Sequence, residues 1–231
     1  MPMNDVRGPS GRRFPYSVRV RSLCLILLGA VACGFASPFT TQRPFTPRPD
    51  NAIRWQSSRA LGSPSAGRLV RGVQLPPGGP TFFTWDPLLH RQPDRAWRRW
   101  GTDDLVRFVL RVVATYAAGH PGAPRVGIGD LSKPHGGWFG PRHASHQNGL
   151  DVDVYYPRLD RRERPPLRIR QIDFLPSQAL VDLFVRAGAE RIYVGPNTGL
   201  RGPAAVVQVL GGHDNHMHVR IGFPPSASGD A

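Results

Sequence analysis

Two short segments hold most of the chemistry-bearing side chains of this chain, and they constrain what it can fold into. The first reads His143-Ala144-Ser145-His146-Gln147-Asn148-Gly149-Leu150-Asp151-Val152-Asp153-Val154, and the second His213-Asp214-Asn215-His216-Met217-His218-Val219-Arg220-Ile221. Together they contain five of the eight histidines and three carboxylates. Both end in an alternation of period two, the pattern of a β-strand. In the second, His216, His218 and Arg220 fall on one face and Met217, Val219 and Ile221 on the other. In Asp151-Val152-Asp153-Val154-Tyr155 the two carboxylates share one face and the two valines the other. Two strands that each have a polar face and an apolar back predict neighbours in one antiparallel sheet. Gly149, just before the earlier strand, permits a bend that turns His146 back toward the same centre.

Any one of these side chains, taken alone, reads as a surface residue or a satisfied core residue. Clustering changes that reading, because several His and Asp side chains on one buried sheet face are costly unless something satisfies them. A metal ion does so, and imidazole nitrogen with carboxylate oxygen is a common donor set for catalytic zinc. Manganese and cobalt accept the same donors. The chain contains no His-Glu-x-x-His run, so a glutamate base of that type is not available. A histidine, with its near-neutral pKa, is the natural substitute.

At these residues the sequence resembles the penicillin-insensitive murein endopeptidases. These belong to a wider group of zinc peptidases that includes lysostaphin-type enzymes, D-Ala-D-Ala dipeptidases and the hedgehog N-terminal domain. The matching stretches are Ile128-Gly129-Asp130, the Gly-rich run Pro134 to Gly140, His143 to Val154 and His213 to Ile221. With weaker similarity from about Gly67, the resemblance covers roughly 150 residues. It implies a zinc-dependent peptidase that hydrolyses the peptide cross-links of peptidoglycan. It further implies that His146, Asp153 and His218 bind the Zn2+ and that His216 acts as base or transition-state stabiliser. His143 and His213 would line the site, and Asp151 would orient a ligand histidine. Spacing alone leaves Asp151 a rival to Asp153. A D,D- or L,D-carboxypeptidase or dipeptidase of the same zinc group, or a non-catalytic zinc module that binds murein, are the competing readings.

Composition bounds the rest. The 231 residues suffice for one ordinary domain plus a leader. Arg12, Arg13, Arg19 and Arg21 precede an apolar run from Leu23 to Ala36. This is a basic n-region followed by an h-region, shorter than a comfortable membrane span. Residues 1–36 therefore read as a signal peptide or signal anchor, with export to the periplasm or the extracellular envelope. Both cysteines, Cys24 and Cys33, lie in that leader, so cleavage after Ala36 leaves a chain without disulfides or thiolate ligands. Members of the resembled group outside the cytoplasm often carry cysteines, and this chain departs from them. The formal net charge is +14, and 29 of the 30 basic residues are arginine. Such charge suits a solvated basic segment or attraction to an anionic envelope polymer. The arginines are not interleaved with aromatics, so the sequence predicts no nucleic-acid partner. Membrane contact is expected only through an uncleaved leader, and the sequence leaves the oligomeric state open.

Residues 37–66, rich in Pro, Ser, Thr and Arg, read as a linker. Residues 67–225 read as the zinc peptidase domain and 226–231 as a tail. Short strands are predicted over Leu69–Leu75, Thr81–Trp85, Arg125–Gly129 and Arg191–Val194. A helix is predicted from an N-cap at Thr102 to about Ala118, with apolar positions Leu105, Phe108, Val109, Val112 and Val113. A second runs from Pro176 to Ala187 and ends at Gly188. The fold class is α+β, a small antiparallel sheet carrying the zinc site with helices packed on one side. Residues 157–170 read as an exposed loop. Trp138 and Phe139 suit either packing or substrate contact. Arg142 and Arg220 suit a carboxylate clamp or a solvated surface. Asn197 follows a strand, at a place where a site residue can lie.

Overall fold

The computed structural model describes residues 53–141 and 143–223. The leader, both cysteines, Arg142 and the tail lie outside the described residues.

The first elements are β1 (Arg59–Ser63) and β2 (Ala66–Val70), an antiparallel hairpin in the register Arg59 opposite Val70. Here the structure differs from the expected linker, since residues 59–66 are paired backbone. The hairpin was hidden because only Leu69 of these strands is fully buried, which leaves no apolar alternation to read. A two-strand ladder follows, β3 (Val73–Gln74) with β5 (Trp100–Gly101). Between them lies β4 (Phe82–Thr84).

Helix α1 (Asp103–Gly119) starts where Thr102 caps it, the Thr102 side chain accepting from Leu105 N at 3.1 Å. Asp103 and Asp104 fall in its first turn, where carboxylates complement the helix dipole. Leu105, Val106, Phe108, Val109, Val112, Val113 and Tyr116 form its buried stripe. The remaining elements are β6 (Val126–Ile128), β7 (Asp151–Tyr155), α2 (Phe174–Arg186), β8 (Arg191–Val194), β9 (Val207–Val209) and β10 (His216–Arg220).

The main sheet has six strands in the order β4-β6-β7-β10-β8-β9. The expected antiparallel sheet is thus corrected to a mixed one. The three central pairings are antiparallel, while β4 on β6 and β8 on β9 are parallel. Parallel neighbours need a crossover, and α1 supplies it between β4 and β6. The short edge strand β9 buries only Val207 of its three residues, so it left little periodic signal. Both helices cover one face of the sheet. Their buried side chains join Val152, Val154, Met217, Val219, Ile192 and Val194 in one apolar cluster. The opposite face is free to carry polar groups, and that is where Asp151, Asp153, His216 and His218 stand. Among the described residues, no helix is long and apolar enough to cross a membrane.

Candidate metal centre

The register of the central strands sets the site. On β10 and β7, His218 lies opposite Asp153, His216 opposite Tyr155 and Arg220 opposite Asp151. On the other side of β10, Tyr193 of β8 lies opposite His218 and Arg191 opposite Arg220. Because side chains alternate along a strand, these residues form three rows on one face.

The loop between β6 and β7 brings His146 over that face. Its main chain is held at both ends. Ser132 Oγ donates to His146 O at 2.6 Å, and His146 N donates to Asp151 Oδ2 at 3.1 Å. His146 itself has φ +69, a left-handed conformation that a non-glycine residue holds only where its surroundings impose it. Gly149 has φ +79, and a Cβ there would stand 2.8 Å from Leu69 Cδ1 and 3.1 Å from Thr102 N. The bend expected at Gly149 is therefore present and requires glycine.

Asp153 Oδ1 is the point of convergence. His218 Nδ1 lies 3.1 Å from it, His146 Nε2 3.4 Å and His216 Nε2 3.7 Å. In each ring the other nitrogen faces an acceptor. His146 Nδ1 is 2.5 Å from Leu131 O, His218 Nε2 is 3.0 Å from Asp151 Oδ1, and His216 Nδ1 is 2.7 Å from Asn215 Oδ1. A carbonyl or carboxylate oxygen can only accept, so each outer nitrogen can donate a hydrogen to the oxygen that holds it. The inner nitrogens are left to face Asp153. His143 lies at the edge, with Nε2 3.6 Å from Asp130 Oδ2. One ligand atom from each of His143, His146 and Asp153 falls within 4.8 Å of the others.

The electrostatics follow from the same contacts. Burial opposes charge on Asp153, but His146 and His216 beside it hold its carboxyl well below the usual carboxylate range. Burial likewise opposes charge on Asp151, yet its hydrogen bond to His218 brings it down to about 2. His218 is disfavoured as a cation by burial, but the carboxylates on either side of it push it up to about 9. Burial dominates at His143 and His216 and takes both down to about 4. The site therefore holds two buried carboxylates, Asp151 and Asp153, with two imidazoles dominated by desolvation and one imidazole, His218, between the two anions. It is built to hold positive charge at Asp153.

The structure brings together most of the residues singled out in the sequence. His143, His146, Asp153, His213, His216, His218 and Arg220 all line one cleft of about 880 Å³. Asp151 is fully buried beneath it, with both oxygens engaged. His213 packs against the His216 ring at 4.9 Å between centroids. Phe139 is buried and packs on His143 and His146, whereas its neighbour Trp138 is exposed. Asn197 is not in the cleft. Its Nδ2 donates to Asp214 Oδ2 at 2.7 Å and tethers the segment before β10. The sequence reading passed over Arg98, Tyr155, Tyr193 and Asn215, which also line the cleft. It also gave no role to Asp130, whose carboxylate accepts from Arg98 Nε at 2.5 Å. Asp130 did carry a signal, as a carboxylate ending the short apolar strand Val126-Gly127-Ile128. The carbonyl of Leu131 carried none, because main-chain atoms leave no mark on side-chain pattern.

A sheet face with His and Asp donors converging on one buried carboxylate defines an α+β domain with a candidate metal site. The chain belongs to the penicillin-insensitive murein endopeptidase family, whose sequence profile matches residues 60–187. It is similar to a penicillin-insensitive murein endopeptidase of Salmonella heidelberg, with 42% identity over 153 residues that cover 55% of this chain and 55% of the relative. Relatives of the same name from Salmonella arizonae and Salmonella paratyphi B are 42% identical over 91 residues, 39% of this chain and 30% of theirs. The chain thus spans about half the length, or less, of the curated relatives it matches.

Proposed function

We propose that this chain is a zinc-dependent peptidase that hydrolyses the peptide cross-links of peptidoglycan in the cell envelope. In this reading His146, Asp153 and His218 hold the metal and His216 handles the proton. The observation that carries it is the arrangement of nitrogens around Asp153 Oδ1. His146 and His218 each turn one nitrogen to that oxygen, at 3.4 and 3.1 Å, while a fixed acceptor holds the other. A ligand histidine tied through its second nitrogen to a carboxylate or carbonyl is the usual support of a zinc site. The donor set therefore fits zinc. Asp151, the rival carboxylate, has both oxygens committed to His146 N, His218 and Arg220, which suits an orienting role. Family membership and the name of the Salmonella relatives support the substrate class.

When bound, zinc polarises the scissile carbonyl and lowers the pKa of a water to about 7. The other work falls to the chain. His216 presents Nε2 to the centre because Nδ1 is held by Asn215, and it accepts the proton of the attacking water. His213, packed on His216, fixes the ring's tilt. Leu88, Trp97 and Leu210 add apolar surface to the cleft lining.

Purified protein incubated with cross-linked murein fragments, with and without a zinc chelator and read by mass spectrometry, tests this reading. Chelator-sensitive conversion of dimers to monomers is the expected result. Intact dimers despite one bound zinc per chain would overturn it, and release of a terminal amino acid alone would identify a carboxypeptidase. Ligand choice has its own test. His218→Ala is expected to lose zinc and His143→Ala to keep it; the reverse would assign the metal to His143, His146 and Asp153.

A further inference from the structure

Arg220 is placed in the cleft but is not explained by the metal site. Its Nε donates to Asp151 Oδ1 at 2.6 Å. That oxygen already faces His218 Nε2 at 3.0 Å, so one carboxylate oxygen serves two side chains. Across the sheet Arg220 lies opposite Arg191, whose Nη1 donates to the carbonyl of Ala205 at 2.9 Å rather than to an acid. Like charges directly opposite on a sheet are unfavourable. The carboxylate of Glu190 lies nearby beyond the strand end, close to Gly222. The two Nη groups of Arg220 have no hydrogen-bond partner among the described residues, and the side chain keeps 20% of its surface open toward the cleft it lines.

We infer that Arg220 is the carboxylate-binding residue of the cleft: its two free Nη groups receive a carboxylate of the bound peptide end-on, beside His218. The inference deepens the peptidase reading and rests on it for the substrate class. Nε is committed to Asp151, which excludes the side-on fork and leaves the parallel pair of Nη donors. Asp151 fixes the guanidinium plane, so little side-chain freedom remains to be lost on binding. Because Asp151 also holds His218, the carboxylate is set at a constant offset from the metal ligands. Arg220 thereby selects which bond of a carboxylate-bearing peptide reaches them. Tyr193, opposite His218 and also lining the cleft, forms the adjacent wall.

The test compares a defined cross-linked muropeptide dimer with the same dimer after its free carboxylates are converted to carboxamides. The expected result for the wild-type protein is a KM about tenfold or more lower for the acid, the scale of a charge-assisted pair, with kcat changed far less. In Arg220→Gln the acid-to-amide ratio is expected to fall to near one, and in Arg220→Lys, which keeps the charge but not the fork, to fall part of the way. This ratio is insensitive to any general damage done by loosening Asp151. Equal KM for acid and amide in the wild type overturns the inference, as does a preference that survives Arg220→Gln. If neither dimer is cleaved, the peptidase reading fails on its own, and calorimetric binding of the two dimers to the zinc-loaded protein decides the subsite by the same ratio.

Discussion

His146, His216 and His218 differ less in what they are than in what holds their outer nitrogens. That difference decides what each substitution does. His216 is held by the Asn215 side chain at 2.7 Å and sits farthest of the three from Asp153 Oδ1, at 3.7 Å. His216→Ala is expected to keep zinc and to lower turnover by roughly 100-fold or more, the scale of an acid–base group. Metal analysis beside a rate measurement checks it, and wild-type turnover would assign the proton to another group. Asp151→Asn is expected to weaken zinc binding by about 10- to 100-fold, because an amide no longer supports the His218 ring as a carboxylate does. A competition titration against a chromogenic chelator reads this, and unchanged affinity would remove Asp151 from the support of the site. His216, His218 and both carboxylates were legible at this scale, since strand alternation put them on one face. What separates Asp151 from Asp153 was not legible. It depends on a main-chain N–H at His146 and on Arg220, contacts made only after the chain has folded.

Elements carry the site by tying it to the core. Thr102 caps α1, and it also binds the turn before β7. Its N and its Oγ1 both donate to Gly149 O, at 2.9 and 3.2 Å. Thr102→Ala is expected to cost about 1 kcal/mol through the lost cap, with Thr102→Ser restoring most of it in thermal or chemical unfolding. No loss in Thr102→Ala would show that the helix start is held by packing alone. Gly149→Ala is expected to cost more, about 1–3 kcal/mol, since the new methyl meets Leu69 and Thr102 in a backbone conformation disfavoured for alanine. α1, α2, β7 and β10 were legible because each pairs a clear period with a buried apolar face. The hairpin β1–β2 and the edge strand β9 bury too little for periodicity to mark them. The parallel edge pairings depend on crossovers that no local pattern encodes. The polar face of β7 and β10 is encoded by local alternation alone, which is why its residues were readable when the sheet's order was not.

Over the whole molecule, buried charge sets how stability varies with pH. Asp94 is the decisive group. It is 2% exposed, its Oδ2 has no partner among the described residues, and Oδ1 accepts from Arg95 N at 2.7 Å. Around it stand Asp130 and Asp86, both anionic neighbours, with Arg98 and Arg99 as the cations. The Arg98 fork is committed to Asp130 and leaves its Nε 3.6 Å from Asp94. Burial, reinforced by Asp130, pushes the Asp94 carboxyl up to about 8. An unfolded aspartate ionises near 4. Between those values Asp94 keeps its proton in the native state and loses it in the unfolded state, so the stability it contributes falls as pH rises from about 4 through about 8. Asp86 and Asp103 act in the opposite sense. Despite burial their carboxyls are held below the usual range by hydrogen bonds, and the stability they confer is lost as pH falls below about 4. Asp94→Asn removes the ionisation and is expected to flatten the alkaline decline. Near pH 4 it should match the wild type closely, and at pH 8.5 it should exceed it by at least about 1.4 kcal/mol, the equivalent of one pKa unit. Denaturant unfolding of both proteins across this range checks the prediction. Parallel curves for the two would mean that Asp94 ionises freely in the native state, with Arg98 shared between the two acids.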